Sequence, residues 1–147
     1  MKTLHFHVII NAPREVVWNT MIDPEGFRHW TAPFKEGTHY VGSWAKGSTI
    51  RFLDSDKNGM VAQIAANDPH DFISIKHIGN VIEGVDDTES EAVKQWAPGF
   101  ENYSFVEHPQ GTDLIVDADI PDVWVDYLKE SWPKALQRLK ELCEGNR

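Results

Sequence analysis

His77, Glu101 and Tyr103 are the residues whose types could do chemistry together. Apolar and polar side chains alternate through 73–77 and again through 100–107, which reads as two strands. With that period all three residues fall on the inward face, among Ile73, Ile75 and Phe105. An imidazole, a carboxyl and a phenol in apolar surroundings need partners, so a mutually hydrogen-bonded cluster is the simplest reading. The same cluster could orient a ligand's polar group, or supply a general base from Glu101 or His77. Their spacing belongs to no recognised catalytic motif, so no catalytic residue is assigned. Structural or ligand-orienting roles carry more weight.

Other chemistries find less support. The chain has seven histidines, but no HExxH, no His–Cys pairing and no carboxylate cluster at ligand spacing, so no metal site is expected. His5 and His7 share one strand face, which is expected to be solvated. No Gly-rich phosphate loop occurs, and Gly42 and Gly47 read as bend and turn residues flanking Trp44. Cys143, the single cysteine, has no partner for a disulfide and is expected to pack in the last helix. No cofactor is implied.

Six tryptophans in 147 residues call for burial. Trp18 and Trp30 read as core. Trp44, Trp96 and Trp132 read as core or as rings at the rim of a ligand site, and Trp124 is placed on the inward stripe of the last helix. With Phe52, Ile75, Phe105 and Leu136, these rings and the polar trio make the candidate ligand-binding set: Trp44, Phe52, Ile75, His77, Trp96, Glu101, Tyr103, Phe105, Trp132 and Leu136.

The elements that must hold these residues can be read in order. Leu4, Phe6, Val8 and Ile10 alternate with His5, His7 and Ile9, giving a first strand. Ala12-Pro13-Arg14-Glu15 opens a helix with the stripe Val17, Trp18, Met21, Ile22, and Asp23-Pro24 caps a second one carrying Phe27 and Trp30. From Gly37 to Gly79 run antiparallel strands separated by turn chemistry. The acidic segment 83–91 reads as a solvated loop or a mobile lid, and a short helix is expected at about 89–96, with Thr88 and Glu91 at capping-box spacing. If Glu107 pairs with Thr112, Tyr103 and Phe105 share a face with Leu114 and Val116. Trp124, Leu128 and Trp132 begin the stripe of a long helix from Asp122 to Glu144, with a kink expected at Pro133.

Charge narrows the partners. Against 14 Lys and Arg stand 23 Asp and Glu, a net charge of −9, and such a surface repels phosphate backbones and anionic headgroups. No nucleic acid and no membrane insertion are expected, since no run approaches ~18 apolar residues. A lone cysteine and an N-terminal stretch interrupted by histidines suggest the cytoplasm. The length is that of one domain, 1–147.

Ile10-Asn11-Ala12-Pro13-Arg14-Glu15-Val16-Val17-Trp18, Asp23-Pro24-Glu25 with Trp30, Gly111-Thr112-Asp113-Leu114 and Ser131-Trp132-Pro133-Lys134-Ala135-Leu136 occur in that order. Together they resemble the START-like SRPBCC superfamily, and within it the single-domain bacterial branch named for the activator of the heat-shock chaperone ATPase. The resemblance implies a helix-grip α+β fold. In it, a curved antiparallel sheet of about six to seven strands wraps a long kinked C-terminal helix, with two short helices after strand 1. It also implies a small hydrophobic ligand, lipid-like, sterol-like or aromatic, between sheet and helix. Two alternatives stay open: an enzyme of the polyketide-cyclase or small-molecule hydrolase kind using Glu101 or His77, and a chaperone-associated interaction module. The chaperone partner ranks lowest, because the outer faces read as polar.

Overall fold

The computed structural model describes residues 1–145. Strand β1 (Lys2–Ile10) is followed by helices α1 (Arg14–Ile22) and α2 (Pro24–Thr31). Strands β2 (His39–Gly42), β3 (Thr49–Leu53), β4 (Gly59–Asp68), β5 (Phe72–Ile82) and β6 (Val85–Asp87) come next, then the one-turn helix α3 (Glu91–Lys94). Strands β7 (Gly99–His108) and β8 (Gly111–Ile120) lead through a 3-10 turn at Asp122–Trp124 into α4 (Val125–Cys143). The sheet is antiparallel and open, in the order β1-β8-β7-β5-β4-β3-β2, with β6 paired to β5. The helix-grip α+β architecture therefore stands, with eight strands and α4 laid across the inner face of the curved sheet.

Local chemistry explains the opening. Asp23 caps α2 by accepting from the Gly26 amide at 2.9 Å, and Pro24 fills the first helical position, where no amide is needed. A side chain on Gly26 would meet the Thr20 carbonyl at 2.3 Å, so this glycine is what lets α1 and α2 approach. The buried stripes are Val17, Trp18 and Met21 on α1, and Phe27, Trp30 and Thr31 on α2. At the other end of the chain the β7–β8 register pairs Glu107 with Thr112. Gly111 makes that hairpin possible: its φ is +134°, and a Cβ there would lie 2.4 Å from the Ile10 carbonyl.

Parity divides the sheet into two faces. Ile50, Ala62, Ile75, Tyr103, Phe105 and Leu114 point inward to the main core under α4. Leu53, Val61 and Val81 form a second, smaller cluster on the outer face. A bulge between Val61 and Ala62, opposite Ile78, switches the facing of β5, so that His77 is inward and Gly79 outward.

Several expectations need correction. The acidic stretch contains a strand, β6, and its helix is shorter than 89–96; the cap is Ser90, which accepts from the Val93 amide, and Thr88 does not serve. The segment lies against the outer face of the sheet. The Asp87 carbonyl crosses Gly79 closely enough that a Cβ would stand 2.3 Å away, Asp86 is gripped by Arg51, and Val93 is fully buried. Trp124 is 54% exposed, because the 3-10 turn puts it out of phase with the helix and the buried stripe starts at Val125.

Candidate functional site

Strands β5 and β7 bring the polar trio together. Ile75 pairs with Glu101 and His77 with Gly99, so Glu101 and His77 are diagonal neighbours on the inner face. His77 Nε2 lies 3.0 Å from Glu101 Oε1, and Tyr103, two residues along the same face, donates its hydroxyl to Glu101 Oε2. His77 is 7% exposed and Tyr103 2%, whereas the Glu101 side chain keeps 23%. Burial, followed by the neighbouring Glu101 charge, pushes the Tyr103 hydroxyl well above its ordinary value of 10.0, so it stays a donor.

Aromatic rings wall the trio. Phe52 stands 5.8 Å from the His77 ring and 5.8 Å from Trp44, centroid to centroid. Phe27 stacks on Phe52 at 5.8 Å, and Tyr40 packs edge-on to Trp44 at 5.3 Å. On the α4 side Trp132 touches Phe6, Trp30, Phe34 and Tyr103, with centroids 4.8–6.2 Å away. The space between sheet and helix is thus filled by interleaved rings. Two buried polar atoms in this wall have no hydrogen-bond partner among the described residues, His77 Nδ1 and Trp44 Nε1.

The proposed ligand residues separate into three groups. Trp44, Phe52, His77, Glu101, Tyr103 and Trp132 form one connected constellation, and Ile75 and Leu136 pack in the core that backs it. Phe105 belongs to the other end of the core, 5.1 Å from Trp18. Trp96 stands beside Gly99, with Met1 and Asp119 near the same point, apart from the ring cluster. Phe27, Tyr40 and Phe34 were not foreseen in the constellation. The signal is present for Phe27, which shares the inward side of α2 with Trp30, but Phe34 sits in the turn after α2 and Tyr40 in the four-residue strand β2, too short for a period to show.

Grooves open elsewhere. One of about 290 Å³ is lined by Pro13, Arg14, Glu15, His70, Glu107 and Gly111, and an adjoining one of about 400 Å³ by Glu107, His108, Pro109 and Gly111. Both lie at the hairpin end of β7, away from Glu101. Arg14 there is already paired with Asp71 and approaches Glu107 at 3.9 Å. His5 and His7 each face a carboxylate, Asp117 at 2.5 Å and Asp113 at 3.0 Å. Among the described residues no three His, Cys, Asp or Glu side chains stand close enough to hold a metal ion, and no helix is long and apolar enough to cross a membrane.

An eight-stranded sheet gripping a terminal helix across a ring-lined inner face defines a START-like protein. The family model described as "Activator of Hsp90 ATPase homolog 1-like protein" matches residues 11–144, and the chain belongs to this family. Solved structures of the same fold include a Mesorhizobium loti protein at 16% identity, covering 99% of each chain with a TM-score of 0.75. Another is the Aha1 dimer of Colwellia psychrerythraea, at 14% identity, covering 100% of this chain and 99% of that one, TM-score 0.75. A Staphylococcus saprophyticus protein is 20% identical over 97% of this chain and 92% of its own, TM-score 0.66. No curated protein matches the chain significantly.

Proposed function

We propose that the protein binds a small, largely hydrophobic molecule between the sheet and α4, with His77, Glu101 and Tyr103 orienting the ligand's polar group. The observation that carries this reading is His77 itself: its Nε2 is held by Glu101 while its buried Nδ1 has no partner in a wall of rings. Ligand sites commonly combine an apolar lining with a few convergent polar groups. The family, whose members commonly bind hydrophobic ligands, supports the reading, and a cytoplasmic setting with the free thiol of Cys143 agrees with it. Because rings fill the space, uptake requires some of them to move aside.

Native mass spectrometry of protein purified from its own host, followed by ligand-detected NMR against lipid and aromatic libraries, tests the proposal. A co-purifying apolar molecule, or hits whose resonances touch Tyr103 and Trp132, is the expected result. Hits confined to the hairpin groove at Arg14, or none at all, would overturn it.

One observation favours a second reading. Glu101 holds His77 as an orienting carboxylate holds a general base, leaving Nδ1 as the basic atom. On this reading Glu101→Gln converts ligand at least ~100-fold more slowly, since an amide in place of the carboxylate no longer holds the imidazole in the tautomer the base needs. Ligand that is returned chemically unchanged by both proteins argues for binding alone.

A further inference from the structure

The start of α4 exposes apolar surface that the fold does not use. Val123, Trp124 and Tyr127 are 86%, 54% and 47% exposed. Residues three and four apart share one side of a helix, so the 3-10 turn and the first turn of α4 set these side chains next to one another, with the Trp124 and Tyr127 rings edge-on at 6.1 Å. The Tyr127 hydroxyl donates to the Phe34 carbonyl, which holds its ring in place. Half-exposed Met1 is fastened beside them by its ammonium, 2.9 Å from the Asp122 carboxylate. An acid row borders the apolar one: Asp122, Asp126 and Glu130 recur every fourth residue, and all are exposed. Asp122 is taken by Met1, whereas among the described residues Asp126 and Glu130 have no cation or side-chain hydrogen bond of their own. Lys35, near Tyr127, is already paired with Asp54, and Lys134, further along the same side of α4, ends the apolar row.

We infer that this end of α4 is a docking surface for another protein, and that the segment it takes is a basic amphipathic helix. The apolar stripe of the partner covers Val123, Trp124 and Tyr127, and Lys or Arg residues along one border of that stripe meet Asp126 and Glu130. A tryptophan and a tyrosine held rigidly at the centre, with charge at the rim, is the arrangement in which a few side chains carry most of a protein contact. Charge selects this occupant over two others. A second copy of the chain brings the same acid row and a net charge of −9, with no basic row to meet it. A membrane surface with anionic headgroups is repelled by the same acids. The surface lies at the start of α4, outside the cluster of His77, Glu101 and Tyr103, so the inference does not depend on the ligand-binding function proposed above.

NMR and calorimetric titration of the full chain test this with a two-heptad helical peptide, Leu-Lys-Lys-Leu-Leu-Lys-Leu repeated twice, and with its counterpart carrying Glu in place of Lys. The lysine peptide should bind at least about tenfold more tightly than the glutamate peptide, with the largest shifts at the Trp124 indole and the Tyr127 amide. Trp124→Ala should weaken the lysine peptide about tenfold while the melting temperature stays near that of the wild type, since the side chain is more than half exposed. Asp126→Lys combined with Glu130→Lys should reverse the preference between the two peptides. Asp68→Lys combined with Glu107→Lys makes the same change of net charge at exposed positions toward the hairpin end of β7, and should preserve that preference. Equal affinity for the two peptides, no binding of either, shifts centred away from Trp124, unchanged affinity in Trp124→Ala, or reversal by both double variants alike overturns the inference. Dimerisation in sedimentation that Trp124→Ala abolishes would give the surface to a second copy, and tighter binding to phosphatidylcholine vesicles than to the lysine peptide would give it to a membrane; either result overturns the inference too.

Discussion

Arg51 holds Asp86 with two parallel hydrogen bonds, Nε to Oδ1 at 3.0 Å and Nη2 to Oδ2 at 2.6 Å, across the outer face of the sheet. The guanidinium keeps the Asp86 carboxyl below its usual range. Together with buried Val93 this clamp fastens the acidic segment to the back of the sheet, opposite the face that carries His77. Arg51→Ala should cost little global stability, about 0–1 kcal/mol, since both side chains are more than a third exposed. Amide exchange across 85–92 should nonetheless accelerate. A segment that acts instead as a lid over the inner face would show exchange that slows when ligand is added, and that outcome would refute the clamp.

Asp54 predicts an acid-sensitive step. Its carboxylate accepts from Lys35 Nζ at 2.7 Å and from the amides of Asn58 and Asp56, and these bonds, the lysine's first, hold its pKa at about 2 against a usual 3.8. A lowered folded-state pKa means that the stabilisation is complete above about pH 4 and is lost as pH falls through about 2. The melting temperature of the wild type should exceed that of Asp54→Ala at pH 6, and the two should converge at pH 2. A constant gap between pH 6 and 2 would contradict the assignment.

Cys143 should be a slow nucleophile. Burial pushes its thiol up to about 11, so very little thiolate exists near neutrality. Iodoacetamide at pH 8 should label the folded protein far more slowly than the urea-unfolded chain. Equal rates would place Cys143 at the surface.

Two tryptophans eight residues apart, Trp124 in the 3-10 turn and Trp132 in α4, should behave in opposite ways. Trp132, 4% exposed and in contact with four other rings, should cost about 3–5 kcal/mol when replaced by alanine. Trp124, more than half exposed and touching only Tyr127 among the rings, should cost under ~0.5 kcal/mol. Urea unfolding of both variants measures the difference.

These contrasts show which features could be read from residues alone. The register that pairs Tyr103 with Val116 follows from alternation and a tight Gly111 turn, and it carries Glu101 and His77 to the same face without further information. Strand β6 follows no such rule. Two of its three residues, Asp86 and Asp87, are poor strand formers, and the strand exists because Glu83 and Gly84 both take positive φ, 49° and 82°, in a two-residue hairpin turn that Ile82 and Val85 close. Glutamate is an unusual residue for that position, so the turn left no signal. Trp124 misled because a spacing of four suits an α-helix, and a 3-10 turn rotates each residue further. Trp96 stands beside the start of β7 at Gly99, a placement that no local pattern encodes.

The edge strand β1 pairs with β8 from Lys2–Ile120 to Ile10–Thr112, and its exit is fastened by α4: Lys140 Nζ donates to the Ile9 carbonyl at 2.9 Å, and Glu144 accepts from the Asn11 amide at 2.8 Å. During synthesis, therefore, the first strand of the domain leaves the ribosome about 100 residues ahead of the strand that pairs with it, and at 5–20 residues per second it waits unpaired for at least several seconds. Thr3, His5 and His7 along its outer side give that waiting strand a polar, poorly self-associating face. The sheet is complete only once β8 has been made, so the folding of this domain waits for its last third rather than proceeding strand by strand.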